Sequence, residues 1–425
     1  MKLSPLVRWL GFQQKKASQA RPRPKSSLMF EEFESRFAPA VLTVGPSDSI
    51  QAAIDIAKAG DTIRVSGLHQ ENIVIANEVG HSRDNLKIEG FRGKATIQAP
   101  DAAIASGAIV EVIGAQNVSI SHLTIQGPFS VVTGETYGIY VHGGGSARIA
   151  ENHISLISDS PLAGNQRGVA IQVGASATDP SFGSAIIVGN VIDRYQKNGI
   201  QVSGAGSSAS IEDNRIQGIG PNAIIAQNGI QIDLGASAKI RYNSITGNSY
   251  SPGGGGAGSG IVINQPGKLT ISENDISRND AGVYLTSSNT GTVVSNNFLT
   301  GNTYGAILVL DTTGAVISGN VAIKNGVDDN SMGGIALSNS QNNRIEGNLS
   351  LGNKGFGISI DAQSTGNTVT RNQLFGNSVF DANDLTTGGA GNTWTKNFGK
   401  TSSPADLVKP GRYFQRFWFG SKAHH

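Results

Sequence analysis

Short runs of alternating aliphatic and polar residues dominate the chain after residue 135, and two kinds of run alternate along it. The first has the form aliphatic-x-x-Asn-x-aliphatic, as in IEDNRI and ISENDI, and the second has the form Gly-aliphatic-x-aliphatic, as in GIQV and GVYL. Aliphatic residues two positions apart lie on one face of a β-strand. The pattern therefore predicts many short strands, in units too short and too rich in Gly and Asn to hold a helix.

The runs recur every 22–24 residues where they are closest together. A period in this range is typical of a solenoid, in which each unit buries its apolar face only by stacking on its neighbours. Leucine-rich repeats share the period, but Leu is not dominant here and the L-x-x-L-x-L frame is missing. The remaining fold class is all-β, a parallel β-helix solenoid.

The asparagines of the first run are expected to form one structural column of the solenoid. Asn tolerates a left-handed backbone at a strand corner, and its amide can hydrogen-bond from coil to coil. Read singly these residues resemble binding residues, but as a ladder they are structural. The predicted ladder consists of Asn152, Asn190, Asn214, Asn243, Asn274, Asn296, Asn320, Asn348 and Asn372.

Both ends of the solenoid carry residues suited to cover it. The segment SIQAAIDIAKAGDTIRV predicts an amphipathic helix over residues 50–59, ended by Gly60 and followed by a strand from Thr62. A helix at this point would cover strand edges and core that otherwise face solvent. At the other end, Trp394 is available to cover the last coil.

The opening segment and the coils GLHQENIVI and NLKIEG resemble the start of pectate-lyase-like right-handed β-helix proteins, and GNTWTKNFGKTSSP resembles their closing coil. The resemblance spans about residues 41–405. It implies a right-handed parallel β-helix with a short N-terminal capping helix, and it says little about function because this fold serves many activities. The expected segments are an export-associated, disordered N-terminal segment over 1–40, a capping strand and helix over 41–60, the β-helix over 61–400 and a basic aromatic tail over 401–425.

The segment LMFEEFESRFAPA resembles the export-associated N-terminal signature of planctomycete surface and secreted proteins, L-x-x-E-x-L-E-x-R-x-x-P-A. Phe33 stands in place of the usual Leu. The resemblance implies an extracellular or cell-surface location, and the alternative is a generic amphipathic helix. The matching residues are Leu28, Glu31, Glu34, Arg36, Pro39 and Ala40.

Composition and charge exclude several classes of function. The 425 residues include no Cys, which excludes disulfides and thiolate chemistry. No apolar run is long enough to predict a transmembrane helix. The net charge of +2 divides into +5 for residues 1–40, +5 for residues 396–425 and −8 between them. An acidic body lacks the basic stripe that nucleic-acid binding requires, so no nucleic-acid partner is expected.

Uneven coil lengths indicate where a binding groove would lie. The glycine run recurs every 30–31 residues up to Gly260 and mostly every 22–23 afterwards. The surplus forms loops, and loops inserted into a solenoid often flank its binding face. We therefore expect a groove in the first half, beside the loops SDSPLAGNQR, GASATDPSFGS, GIGPNAIIAQN and GNSYSPGGGGAGS.

Outward positions of the glycine runs would stack into a polar, partly aromatic strip beside these loops. Such a strip suits a sugar chain, whose ring faces contact Tyr and whose hydroxyls pair with amides and carboxylates; the alternative is an ordinary solvated face. The predicted substrate-binding residues are Tyr140, Gln172, Gln201, Gln231 and Asp233.

Three residues are candidates for catalysis. His142 titrates near neutrality and suits a general acid or base, although the simpler interpretation is an exposed ladder residue. Lys197 or Arg167 would serve as the base of a β-elimination on a uronic acid. No cofactor is evident and no metal site is predicted. Calcium has no ligand cluster to support it, since Asp328-Asp329-Asn330 is expected to form a turn.

Two functions fit these observations. The first is an exported β-helix protein that binds, and as a lyase or hydrolase also cleaves, a polysaccharide or cell-envelope glycan along its outer strand face. The second is a non-catalytic surface protein that uses the solenoid as a structural or adhesive rod. The catalytic motifs of polygalacturonase-like hydrolases and the Asp-Pro-His-Asp motif of mannuronan epimerases are missing. Catalysis is left open, and the protein is expected to be a monomer.

Overall fold

The structure is a computed structural model that describes residues 38–251, 257–289, 291–327, 330–387 and 391–411, without the side chains of 92–94. Within these ranges the chain forms a parallel β-helix with one short α-helix, which confirms the predicted all-β solenoid. The export-like segment up to Phe37, the Asp328-Asp329 pair and the aromatic tail from Tyr413 lie outside the described residues.

Each complete coil contributes one strand to each of three parallel stacks, which we call faces A, B and C. Face A contains β1 Val41–Val44, β2 Thr62–Gln70, β4 Lys87–Gln98, β6 Val118–Ser121, β9 Ser146–Ala150, β12 Ser184–Val188, β15 Ser208–Glu212, β18 Ser237–Arg241, β21 Leu269–Ser272, β24 Thr292–Ser295, β27 Val316–Ser318, β30 Arg344–Glu346, β33 Thr368–Thr370 and β36 Thr393–Thr395. The long strands β2 and β4 continue around the corner into face B.

Face B contains β7 Thr124–Gln126, β10 His153–Ser155, β13 Val191–Asp193, β16 Arg215–Gln217, β19 Ser244–Thr246, β22 Asp275–Ser277, β25 Phe298–Thr300, β28 Val321–Ile323, β31 Leu349–Leu351 and β34 Gln373–Phe375. Face C contains β3 Ile73–Ala76, β5 Ala108–Ile113, β8 Tyr137–His142, β11 Val169–Gly174, β14 Asn198–Ser203, β17 Asn228–Asp233, β20 Ser259–Asn264, β23 Ala281–Thr286, β26 Gly305–Leu310, β29 Gly333–Ser338, β32 Phe356–Ile360, β35 Phe380–Asp384 and β37 Ser402–Ser403.

In-register pairing stacks like residues on like residues through the core. On face A, Ile149 pairs with Ile187, which pairs with Ile211, and all three are fully buried. Burying one such side chain stabilises the fold by about 1.5–3 kcal/mol. Each isoleucine is buried by contact with the coils on both sides of its own. Stacks of small and medium aliphatic side chains therefore fill the core with few aromatic residues.

The helix α1, Ile50–Ile56, lies at the N-terminal end and contacts β1, β2 and β3. It begins after Ser49, whose hydroxyl accepts a hydrogen bond from the Ala52 amide, and it buries Ile50 and Ile54. It is three residues shorter than predicted because Ala57 is already extended. The strand predicted from Thr62 begins at that residue.

A ladder of buried asparagines follows the corner between faces A and B, as predicted. One predicted member is wrong: Asn297 occupies the ladder, while its neighbour Asn296 is exposed with φ of 55°. The left-handed conformation generally belongs to the residue before the ladder position, as at Asp213 and Tyr242. The ladder asparagine itself turns inward and bonds from coil to coil.

Two further asparagine ladders were not predicted. One follows the end of face B and consists of Asn248, Asn279, Asn302, Asn325, Asn353 and Asn377. The other precedes the last strands of face A and consists of Asn343, Asn367 and Asn392. Near the C-terminal end Trp394 packs against the core, and its indole donates to Asp384.

Candidate functional site

The outward side of face C, from β8 to β20, carries the predicted strip. Pairing in register stacks Tyr140 on Gln172, Gln172 on Gln201, and Gln201 on Gln231. These side chains stack as the sequence predicts, but they are not equally accessible. Tyr140 and Gln172 are buried, whereas Gln201 and Gln231 are half-buried. The strip therefore divides into a covered part at β8–β11 and an accessible part at β14–β17.

The part at β14–β17 is a cluster of four amides around the buried carboxylate of Asp233, and only Gln201 and Gln231 are partly accessible. Gln201 and Gln231 each donate to Oδ2 of Asp233, at 3.2 and 2.5 Å. Asn198 donates to Gln201, and Asn228 donates to Asn198 at 3.0 Å. The other oxygen of Asp233, Oδ1, is buried and accepts no hydrogen bond within the described part of the chain. We call these five residues the amide cluster.

The covered part holds a histidine between two carboxylates. Nδ1 of His142 lies 2.5 Å from Asp179, and its Nε2 lies 2.8 Å from Glu111. The Tyr140 ring stacks on the imidazole with centroids 3.9 Å apart and planes 5° apart, and Tyr137 lies beside Tyr140. His142 is 6% exposed, so the expectation of an exposed ladder residue is wrong.

Pairing with the two carboxylates favours the protonated form of this histidine. Burial by itself would lower the pKa of His142, but hydrogen bonds to Glu111 and Asp179 outweigh it and raise the pKa. Burial tends to raise the pKa of both carboxyls, but the hydrogen bond with His142 lowers the pKa of Glu111, and hydrogen bonds from Ser181 and then His142 lower the pKa of Asp179. Because both ring nitrogens are engaged by carboxylates, His142 is not positioned to act as a general base. It ties the loop over residues 175–183, which carries Asp179, to face C.

Arg167 is likewise engaged in holding a loop. Its Nε and Nη2 contact the two oxygens of Asp159 at 2.9 and 3.1 Å, and its Nη1 donates to the Gly134 carbonyl. Burial tends to raise the pKa of Asp159, but the hydrogen bond from Arg167 and its other contacts lower it. Nearby, burial raises the pKa of Glu135 against the charge of Arg167. This bidentate pair fits a loop clamp better than a catalytic base.

Lys197 differs from the other two catalytic candidates. Its ammonium donates to the Ala226 carbonyl at 2.8 Å, and no carboxylate of the described ranges lies within ion-pair distance. Burial lowers the pKa of Lys197. A half-buried lysine without an acidic partner loses its proton more readily than a solvated one. Lys197 directly precedes Asn198, so it borders the amide cluster.

Several members of the site were missed by the sequence reasoning. Asn198 and Asn228 both precede the glycine in the repeated run NGIQ, and that repetition was a usable signal. Glu111 and Asp179 gave no local signal, because one lies in an apolar strand and the other in a loop. Tyr195, two residues before Lys197, is fully buried and donates to Asn248 at 2.5 Å.

No group of three or more His, Cys, Asp or Glu side chains in the described ranges is arranged to hold a metal ion. The predicted absence of a cofactor is not tested by this observation. The amide cluster contains a single carboxylate, so it offers hydrogen bonds rather than the several anionic ligands that a hard cation prefers.

The chain belongs to the right-handed β-helix family, whose region it matches over residues 60–298, more than half of its length. It also matches the periplasmic copper-binding protein (NosD) family over residues 254–403. That segment contains no His, no Cys and only one Met, Met332. Copper sites in proteins rely on imidazole, thiolate and thioether ligands, so these residues do not fit a copper site.

Two solved structures illustrate the likeness in fold. The periplasmic alginate epimerase AlgG is 12% identical, with a TM-score of 0.57 and 84% of each chain covered. The GH136 lacto-N-biosidase from Eubacterium ramulus is 11% identical, with a TM-score of 0.53, covering 85% of this chain and 67% of that one. At such identities the likeness shows the fold alone. No curated protein matches the chain significantly. The described residues contain no helix long and apolar enough to cross a membrane.

Proposed function

We propose that this protein binds a polysaccharide or cell-envelope glycan along face C, with the amide cluster as the centre of the binding surface. The observation that carries the proposal is the stacked pair Gln201 and Gln231, two partly accessible amides on adjacent coils that both donate to the buried carboxylate of Asp233. Sugar hydroxyls donate hydrogen bonds to amide oxygens and accept them from amide nitrogens, so both groups of each glutamine suit such a ligand.

Repetition of the amides favours an extended ligand over a small one. Gln201 and Gln231 occupy equivalent positions on adjacent coils, about 4.8 Å apart along the solenoid axis. Successive sugar rings of a glycan advance by a similar length, so one chain can repeat its contacts from coil to coil. The two similar structures described above are named for alginate and lacto-N-biose chemistry, which supports a carbohydrate ligand.

Binding to a panel of neutral and acidic polysaccharides tests the proposal. Gln231→Ala should weaken binding about tenfold, because one hydrogen bond to a ligand is worth about 1.4 kcal/mol. Gln217→Ala is the matched control, since this glutamine lies on face B and is exposed. Absence of binding by a folded chain would contradict the proposal, as would equal losses in the two variants.

A catalytic extension of this proposal assigns the base to Lys197. Removal of the α-proton of a uronate needs a neutral base, and burial lowers the pKa of Lys197 towards that state. Turnover of uronate polymers would be followed by new reducing ends and by the ultraviolet absorbance of unsaturated products. Turnover that Lys197→Ala abolishes while binding persists supports the extension. Binding without turnover assigns the protein to the non-catalytic, adhesive class.

We also propose an extracellular or cell-surface location. Its support is the export-like segment over residues 28–40 and the glycan ligand proposed above. Fractionation of producing cells should recover the chain outside the cytoplasm, and deletion of that segment should retain it inside. Equal distribution of the two chains would contradict the assignment.

A further inference from the structure

The outward side of face B changes its chemistry halfway along the solenoid. In the first half its side chains are mostly polar or charged, and from β25 onward most are apolar. The first set includes Gln126, His153, Asp193, Arg215, Ser244 and Asp275. The second set, which we call the apolar patch, consists of Phe298, Val321, Ile323, Leu349, Leu351 and Phe375.

Strand alternation shows that the apolar patch faces away from the core. The central residues of three of these strands, Leu299, Ala322 and Leu374, each adjoin a patch member and belong to the buried core cluster. Two residues of one strand that flank an inward residue point outward. The patch is therefore a second apolar surface, separate from the interior of the solenoid.

Part of the apolar patch is nevertheless covered. Leu349 is 0% exposed and Val321 is 7% exposed, although neither belongs to the core cluster. In the same column, two and three coils before Val321, Asp275 and Ser244 are exposed. Val321 and Leu349 are thus buried while polar residues of the same column are exposed. This difference indicates that another part of the protein covers the apolar residues.

The described chain ends beside the apolar patch. Phe398 pairs with Gln373, the first residue of β34, and Lys409 pairs with Phe398, both in parallel. The last described residues thus continue the stack of face B beyond its final strand. Gly411 lies against the Phe398 ring, since a Cβ on it would lie 2.7 Å from that ring. The fourteen residues that follow start at this end of the patch.

We propose that residues 412–425 dock on the apolar patch of face B. The segment RYFQRFWFGSKAHH is rich in aromatic side chains, which match an apolar strip and bury the largest area per residue. Its fourteen residues reach at most about 50 Å when extended. The patch spans three coil-to-coil steps, or about 15 Å. Reach and chemistry both fit a C-terminal strap that covers the second half of face B.

Fluorescence of Trp418 tests the strap in the full chain. The difference in emission between the natural chain and Trp418→Phe gives the emission of Trp418 without that of Trp9 and Trp394. We expect that emission to be blue-shifted and quenched several-fold less by acrylamide than in the free peptide 412–425. Leu351→Asp should restore quenching, whereas Ser277→Asp, in the same column three coils earlier, should not.

A chain ending at Gly411 provides an independent measurement. It should bind more of a hydrophobic dye than the full chain, and the peptide 412–425 added in trans should reverse the gain. Quenching of Trp418 equal to that in the free peptide would overturn the proposal. Shielding that disappears on dilution would also overturn it, because the cover would then be a second copy of the chain.

Discussion

Single asparagines carry much of the polar bonding between coils. Nδ2 of Asn243 donates to the carbonyls of Ile211 and Arg241 and to Oδ1 of Asn274, at 2.9–3.0 Å. Its Oδ1 accepts from the backbone amide and the side chain of Asn214. All of these bonds except the one to Arg241 are buried, so this ladder asparagine satisfies buried polar groups on three coils.

Asn243→Ala should therefore lower the free energy of unfolding by about 3 kcal/mol, because it leaves buried donors and acceptors on both neighbouring coils without hydrogen-bond partners. Ser244→Ala is the control, since this exposed neighbour should change stability by less than about 0.5 kcal/mol. Urea unfolding followed by circular dichroism measures both. Similar values for the two variants would show that the ladder adds no stability.

Residue identity predicted the main ladder but not every member of it. Asn296 and Asn297 are adjacent and both fit the repeat, and only the strand register shows which one turns inward. Tyr140 and Gln172 were correctly placed on an outward column. Their burial was not predictable from their own strands, because the loop over 175–183 that lies near them has no strand pattern.

At the scale of elements, the long coils carry inserted loops, and His142 ties one of them, over residues 175–183, to face C as a cover. Their lengths were visible in the repeat spacing. Their attachment was not, because the contact between His142 and Asp179 joins residues 37 positions apart without a shared motif. The helix α1 was predictable for the opposite reason, since its apolar spacing and its Ser49 cap are local.

The tie between His142 and its two carboxylates should make stability depend on pH. The pKa of His142 is raised in the folded chain above its ordinary value of 6.5. Its contribution is therefore fully present below that value and is lost as the pH rises through the folded pKa. Glu111 and Asp179 stay ionised across this window because their pKa values are lowered.

We expect His142→Gln to be about 2 kcal/mol less stable than the natural chain near pH 6, and the difference to shrink towards about pH 9. Thermal unfolding at the two pH values measures it, and protease cleavage within 175–183 should increase in the variant. His122→Gln is the control, because this histidine forms only an exposed pair with Glu151. A difference that grows with pH would refute the proposed charge state.

Across the whole molecule, the two halves of the solenoid present different surfaces on a constant core. The amide cluster lies on face C in the half with long loops, and the apolar patch lies on face B in the half with short coils. The repeat made the core predictable, because every coil buries equivalent positions. The outward positions differ from coil to coil and do not affect the repeat, so sequence periodicity contains little information about function.

A solenoid stabilised only by neighbouring coils should open from its ends. Trp394 packs on the core near the C-terminal end, and its indole donates to Asp384 at 2.7 Å. Trp394→Ala should therefore speed amide hydrogen exchange in β33 to β36 and leave β15 to β18 unchanged. Leu385→Ala is the control, because this leucine lies at the same end but is exposed. Faster exchange throughout the chain would instead mean that all coils unfold as one cooperative unit, and the nearest-neighbour account of this β-helix would fail.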